Sequence, residues 1–177
     1  MKNYTKAVLY AYPFLKNIGK EYDEHVFNRA ILSYRSDFSA ERIALYIAGE
    51  IVEKQTLQQV EKTVDEVLSK LSDVERTLVA IRYFGKQRKI RRALTSGEKG
   101  GWSERTYFRM QRRLSEKLGA LLAAKGIDER YFQEELLKIE LFEKTYRFVC
   151  EGKDRQVRWN EREWLAGQEQ EYYGSSS

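Results

Sequence analysis

Three arginine residues have the type and spacing to carry out a chemical task together. Arg105, Arg109 and Arg112 recur at intervals of four and three residues, which places them on one face of any helix that contains them. The planar guanidinium group donates paired hydrogen bonds to a phosphate or to the edge of a guanine base. The spacing therefore indicates a surface that binds a polyanion, provided that a helix presents it.

Residues suited to catalysis or metal binding are scarce. The 177-residue chain has one histidine, His25, and one cysteine, Cys150, and no glycine-rich phosphate loop follows a predicted strand. We expect His25 to lie on the surface. We expect Cys150 to be a buried or half-buried small side chain, since no histidine is near it in the sequence. The predictions are that the chain is not an enzyme and uses no metal and no cofactor.

Positive charge is concentrated in the middle of the chain. The segment from Arg82 to Lys125 contains 13 Lys and Arg residues against 3 Asp and Glu, a net charge of +10. The whole chain carries +5, which leaves −5 for the remainder. One basic segment in an otherwise acidic protein is typical of a nucleic-acid binder.

Composition predicts an all-α protein. The chain has a single proline, few glycines and many Leu, Glu, Lys and Arg residues, which favour helices. No apolar run reaches the length of about 18 residues that a membrane span needs, and the first residues lack a signal-peptide cleavage site. The lone cysteine allows no internal disulfide. We therefore expect a cytoplasmic protein without membrane partners.

Residues 1–70 are predicted to form a long helical hairpin. Apolar residues recur every three or four positions from residue 4 to about residue 34, with a break or kink expected between Pro13 and Gly19. A second stripe with nearly heptad spacing runs from about residue 40 to residue 70 and slips between Ile51 and Leu57. Because heptad spacing serves a dimer seam as well as a hairpin, both interpretations stay open.

A second predicted unit, residues 71–126, has the order of a helix-turn-helix. Ser72 and Glu75 are spaced as a capping box for a helix that stops at Gly85, with Val74, Leu78 and Ile81 facing inward. A short basic helix over residues 86–94 and a glycine-containing turn over residues 95–101 follow. This order of elements is the layout of helix-turn-helix domains.

The last helix of this unit is predicted to begin at Ser103, whose hydroxyl can cap it, and to continue to Leu122. Its apolar stripe consists of Tyr107, Met110, Leu114, Leu118 and Leu121. Because this stripe must face a core, the arginines lie nearly opposite and face outward, with Phe108 and Arg113 on the two flanks. Helices of this kind place their N-terminal residues in the DNA major groove.

Several short motifs follow one another in this region. They are Leu71-Ser72 with Glu75-Arg76, Arg82-Tyr83-Phe84, Gly101, Ser103 with Thr106-Tyr107, and the stretch from Arg112 to Leu118. In this order the region 71–122 resembles the promoter-reading helix-turn-helix of bacterial sigma factors (their region 4) and of related phage transcription regulators. It departs from that family in its longer turn, 95–101, and in the arginines of the preceding helix. Nothing resembles the strand-melting region of a complete sigma factor.

The resulting functional prediction is a sequence-specific DNA-binding transcription regulator. Bases are expected to contact Ser103, Glu104, Arg105, Thr106, Arg109 and Arg112. Phosphates are expected to contact Lys86, Arg88, Lys89, Arg91, Arg92 and Arg113. A single helix-turn-helix rarely binds double-stranded DNA tightly alone, so either a homodimer or RNA polymerase is expected as a second anchor, through the N-terminal hairpin. The alternatives are an RNA-binding protein and a sigma-like protein-interaction module that does not bind nucleic acid.

The remaining residues complete the prediction of an all-α fold. Residues 127–150 are predicted to form one C-terminal helix capped by Asp128. Residues 151–177 are predicted to be a polar tail that is partly disordered.

Overall fold

The computed structural model describes residues 1–32, 39–84 and 102–152, and all regular structure in these ranges is helical. The helices are α1 (Asn3–Leu32), α2 (Ala40–Ser69), α3 (Asp73–Tyr83), α4 (Glu104–Ala124), α5 (Glu129–Glu134) and α6 (Glu140–Cys150), with a 3-10 turn at Leu136–Lys138 before α6. The predicted all-α class is confirmed. None of the helices in the described ranges combines the length and apolar character needed to cross a bilayer.

The first half of α1 lies at the centre of the core. Tyr4, Thr5 and every residue of the range 7–11 are buried, so this half of the helix is covered on all sides. It contacts α2, α4 and α6. A helix that is apolar all round is expected to be a buried one, and the run Ala7-Val8-Leu9-Tyr10-Ala11 meets that description. The helix is not broken between Pro13 and Gly19, since α1 continues through both residues; a kink there stays a prediction.

Polar contacts join α1 to α2 along their length. The Tyr12 hydroxyl donates to Asp65, and the Tyr22 hydroxyl donates to Glu53 over 2.7 Å. Because the residue number rises in one helix as it falls in the other, the two helices run antiparallel. Burial, together with the neighbouring carboxylate, raises the pKa of both tyrosines well above their usual range. The hydroxyls therefore stay protonated and keep donating at alkaline pH values at which an exposed tyrosine would ionise.

The two halves of α2 have different surroundings. In the second half, Leu57, Val60, Val64 and Val67 are all buried against the rest of the core. In the first half, residues 40–56, Glu50 alone is buried. The slip in the apolar spacing between residues 51 and 57 marks this change of surroundings.

The C-terminal region corrects one prediction. The single helix expected over residues 127–150 is instead α5, the 3-10 turn and α6, because Ile139 adopts an extended conformation (φ −92°, ψ 122°). The break turns the chain so that Leu136, Leu141 and Phe142 are all buried. The rings of Phe132 and Phe142 pack against each other edge-on. The predicted cap is present, since Asp128 accepts a hydrogen bond from the Tyr131 amide over 2.8 Å.

Cys150 corrects a second prediction. The sequence predicts a side chain that is at least half-buried, but Cys150 is exposed. It is the last residue of α6, one position beyond Val149, which takes the inward place on the helix. Its sulfur accepts a weak hydrogen bond from the Asn3 side-chain amide at 3.7 Å, which brings the start of α1 next to the end of α6.

The buried apolar side chains of these helices form one continuous cluster. Its members come from each of the predicted segments 1–70, 71–126 and 127–150. The boundaries of those segments stay a prediction. The side chain of His25, the basic stretch 86–94, the turn 95–101 and the tail beyond residue 152 lie outside the described residues.

Candidate nucleic-acid interface

The start of α4 is fixed by a local cap. The Ser103 hydroxyl accepts a hydrogen bond from the Thr106 amide over 3.2 Å and lies 3.0 Å from the Thr106 hydroxyl. Ser103 has the extended backbone of an N-cap, and Glu104 places its negative charge near the positive end of the helix dipole. The cap predicted at Ser103 is confirmed, and it places both hydroxyls at the exposed tip of α4.

The end of α4 is fixed by a glycine. Gly126 has φ +89°, its amide donates to the Ala123 carbonyl, and the next amide, that of Ile127, donates to the Leu122 carbonyl. These two hydrogen bonds form a Schellman motif, which favours glycine because a side chain is strained at positive φ. Ile127 and Leu122 are both buried, which supplies the apolar contact that accompanies the motif.

Between these ends, a seam of side chains holds α4 against the core. The buried residues of the helix are Tyr107, Gln111, Leu114, Ser115, Leu118 and Leu122. The predicted stripe includes Met110 and Leu121, and both are half-buried residues at the edge of the seam. The helix is therefore rotated by roughly 50° about its axis from the orientation that its apolar residues alone predict.

Gln111 lies on the side of α4 that is turned toward the core by this rotation. Its side-chain amide donates to the carbonyl of Leu78 in α3 over 3.2 Å and to the Tyr107 hydroxyl over 3.3 Å. A buried amide is costly unless it is hydrogen-bonded, and these acceptors meet that requirement. The apolar periodicity contains no signal for this contact, because the Leu78 carbonyl belongs to another helix.

A second contact between α3 and α4 lies nearer the surface. The Lys117 ammonium group lies 2.8 Å from both carboxylate oxygens of Glu75, and Glu75 also accepts from the Ser72 amide in the capping box. These hydrogen bonds lower the pKa of the Glu75 carboxyl group. The predicted capping box at the start of α3 is therefore confirmed. Val74, for which the sequence predicts an inward position, is 45% exposed because Leu78 and Val79 take the inward positions.

The opposite side of α4 is exposed and basic. Arg105, Arg109, Arg112 and Arg113 are all exposed. Arg112 lies 3.4 Å from Glu116, one turn further along the helix, and its side chain stays 85% exposed. In the described part of the chain, no carboxylate lies within ion-pair distance of Arg105, Arg109 or Arg113. The outward face therefore presents guanidinium groups to solvent.

The rotation of α4 changes which arginines form a row. Arg105, Arg109 and Arg113 follow one another at intervals of four residues, and the buried seam now lies opposite this row. Arg112 is displaced toward the flank, beside the exposed aromatic ring of Phe108. The sequence alone assigns base contact to Arg112 and phosphate contact to Arg113, and this assignment stays a prediction.

The other predicted site residues divide into two groups. Ser103, Glu104 and Thr106 lie at the tip of α4, next to Arg105, as the sequence predicts. Lys86, Arg88, Lys89, Arg91 and Arg92 lie outside the described residues. Within the described ranges, no group of three or more histidine, cysteine, aspartate and glutamate side chains is arranged to hold a metal ion.

No protein-family model, curated protein or solved structure matches this chain. Its function must therefore be inferred from the geometry of the site.

Proposed function

We propose that this chain is a sequence-specific DNA-binding transcription regulator in which α4 is the recognition helix. The observation that supports this most directly is the exposed row Arg105, Arg109 and Arg113, which the buried seam keeps pointing away from the core. Arginines are favourable where they can hold bases or phosphates with two hydrogen bonds. The three arginines of this row supply such donors, and no carboxylate in the described part of the chain forms an ion pair with them.

The dimensions of an α-helix such as α4 suit the major groove of DNA. A helix with its side chains is about 10–12 Å in diameter. The major groove is about 12 Å wide and accepts one α-helix. The N-terminal half of α4 also carries the positive end of the helix dipole, which favours approach to phosphates. Glu104 at the tip would accept a hydrogen bond from the amino group of a cytosine.

The proposed domain is a helix-turn-helix like that of sigma-factor region 4, with α3 as its first helix and α4 as its last. The contacts of α3 with Gln111 and Lys117 support this pairing of helices. The antiparallel pair α1 and α2 is then the N-terminal hairpin that precedes the domain. In this proposal a second copy of the chain or RNA polymerase supplies the additional binding energy that a single helix-turn-helix lacks.

Selection of bound sites from random duplexes, followed by a binding titration on the selected site, tests the proposal. We expect Arg109→Ala and Arg113→Ala each to cost about 1–3 kcal/mol on that site and to relax its sequence preference.

Arg112→Ala should weaken all duplexes alike and reduce the salt dependence of log affinity by about 0.9 for each phosphate that is no longer neutralised. Arg130→Ala is the matched control, since Arg130 is also exposed and pairs with Glu134 four residues away. Unchanged binding by both base-reading variants would exclude α4 as the recognition helix.

Binding of single strands or RNA is the second candidate, and one observation favours it. The ring of Phe108 is 55% exposed beside the arginines, and such a ring can stack on an unpaired base. Tyr107 does not add to this surface, because it is buried. Competition between duplex DNA, single-stranded DNA and RNA separates the two functions. A preference for single strands that is lost in Phe108→Ala would overturn the duplex proposal.

A further inference from the structure

The first half of α2 has two apolar faces. One face, with the half-buried Ile43 and Ile47, lies on the side of Lys54, which pairs with Asp23 of α1. The other face points to solvent, and its members are Ala44, Leu45, Ala48, Ile51 and Val52. Leu45 is 69% exposed and Val52 is 60% exposed. A helix that is apolar on two opposite sides is expected to be covered on both.

The outer face has a definite end. Beyond Val52 the same side of the helix continues with Gln55, Gln58, Gln59 and Lys62, which are polar residues. Glu41 lies at the other end, so the apolar patch is bounded by a carboxylate on one side and an amide on the other. The patch is about 12 Å long, because eight residues separate Ala44 from Val52.

We propose that this outer face of α2 binds the same face of a second copy of the chain, with the two helices antiparallel and crossing at Ala48. In that arrangement Leu45 lies opposite Ile51 of the second copy, and Ala44 lies opposite Val52 of the second copy. The small side chain of alanine at the crossing lets the two backbones approach closely. The contact is closed by two-fold symmetry, so it does not propagate into filaments.

The polar ends of the patch select the antiparallel direction. With Ala48 at the crossing, Glu41 lies opposite Gln55 of the second copy, whose amide can donate to the carboxylate. A parallel arrangement would instead place Glu41 opposite Glu41, two like charges that repel each other. Two copies of the patch are therefore complementary when the helices are antiparallel and not when they are parallel.

Gly49 adds an independent observation. Glycine inside a helix is less favourable than alanine by about 1 kcal/mol. A side chain added at Gly49 would meet no atom of the chain within 4 Å, so the fold itself does not require glycine at this position. A residue without a side chain at the edge of the outer face leaves room for a second helix.

The association is expected to be weak in solution. The patch has five residues, fewer than the roughly 20–30 per partner that a stable complex usually buries, so we expect dissociation in the micromolar range or above. It does not depend on the DNA-binding proposal, because the helix face that it uses is separate from the arginine row of α4. Two copies held on one DNA molecule would gain from the high effective concentration, which makes binding cooperative.

Sedimentation equilibrium of the full chain without DNA, from about 1 to 300 µM, tests the association itself. We expect a monomer–dimer equilibrium that Ala48→Glu weakens at least tenfold, since it places two carboxylates together at the crossing. Glutamate is a good helix former and Ala48 is exposed, so the fold should be unaffected. Gln59→Glu, the same charge change on the same side of α2 beyond the patch, should leave the equilibrium as it is. A monomer at every concentration would overturn the proposal, and the outer face of α2 would then be expected to bind a different protein.

Cysteine cross-linking tests the direction, with the exposed Cys150 first replaced by serine. In this background an equal mixture of Leu45→Cys and Ile51→Cys chains should form more disulfide-linked dimer than either variant alone. Equal or greater cross-linking of each variant with itself would overturn the antiparallel arrangement. Because neither experiment contains DNA, their failure would leave the proposed function of α4 untouched, and failure of DNA binding would leave this interface untouched.

Discussion

The helices α2 and α4 each combine residues that are buried in the core with residues that face solvent. The buried residues are alike in part, since both helices bury leucine or valine on one side of their C-terminal half. The solvent-facing residues of the two N-terminal halves differ in chemistry. The exposed residues of α4 are mainly arginines, whereas those of α2 are mainly alanine, leucine, isoleucine and valine. One core can therefore support two surfaces of opposite character, one suited to a polyanion and the other to an apolar partner.

The largest expected effect distinguishes buried from solvent-facing residues. Leu118 is fully buried in α4, and Leu118→Ala should lower the free energy of unfolding by about 2–5 kcal/mol. Leu45 on the outer face of α2 is the matched control, and Leu45→Ala should change the free energy of unfolding by less than about 0.5 kcal/mol when measured at low micromolar concentration. Urea denaturation followed by circular dichroism measures both values. Equal losses in the two variants would show that Leu45 is as important to the core as Leu118.

A smaller effect tests what sets the rotation of α4. Gln111→Ala removes the hydrogen bonds to the Leu78 carbonyl and the Tyr107 hydroxyl and leaves a cavity, so we expect a loss of about 1–3 kcal/mol. Gln111→Met keeps the volume and should cost less, because an apolar side chain of similar size suits a buried site. If the amide orients the helix, Gln111→Met should weaken specific DNA binding more than it weakens folding.

The cap of α4 provides a third and smaller test. Ser103→Ala should lower the free energy of unfolding by about 1 kcal/mol, because the Thr106 amide loses its acceptor. Ser103→Asp retains an acceptor and should keep the stability of the native chain. If Ser103 also lies against DNA, the added negative charge should weaken duplex binding, so the aspartate variant separates capping from recognition. Thermal denaturation and a DNA titration of both variants provide the comparison.

The smallest effect concerns the ion pair between α3 and α4. Because the folded chain lowers the pKa of Glu75, its contribution to stability is present above the ordinary value of 4.5 and is lost as the pH falls through the lowered pKa. We expect this contribution to be about 0.3–1 kcal/mol, since both side chains are partly exposed. Glu75→Gln keeps the capping box and should remove this part of the pH dependence between neutral pH and about pH 3. Urea denaturation of the native chain and of the Glu75→Gln variant at the two pH values measures this contribution to the free energy of unfolding.

Local signals in the sequence predicted much of the secondary structure. The caps at Ser72, Ser103 and Asp128 depend on residues three positions away, so each could be inferred without knowledge of the fold. The inward positions of Leu114 and Leu118 followed from periodicity. The exposed arginines followed in turn, since they lie across the helix from those leucines.

Features that depend on distant residues could not be predicted in this way. The rotation of α4 depends on a carbonyl of α3, the exposure of Val74 depends on the packing of Leu78 and Val79, and the break at Ile139 depends on several side chains reaching one core. Periodicity reports the average apolar direction of a helix, whereas the final orientation is set by the partner helices. Arg112 and Arg113 are adjacent residues, so this difference decides which of them lies opposite the buried seam.

The placement of α1 has a consequence for synthesis of the protein. This helix contacts α6, and Asn3 lies beside Cys150, so α1 leaves the ribosome well before one of the helices that cover it. At about 5–20 residues per second, the intervening chain takes on the order of ten seconds to emerge. During that interval α1, which contains the buried apolar run from Ala7 to Ala11, lacks one of its neighbours. Nascent chains arrested before α6 should therefore bind chaperones through this run, and chains released after it should not.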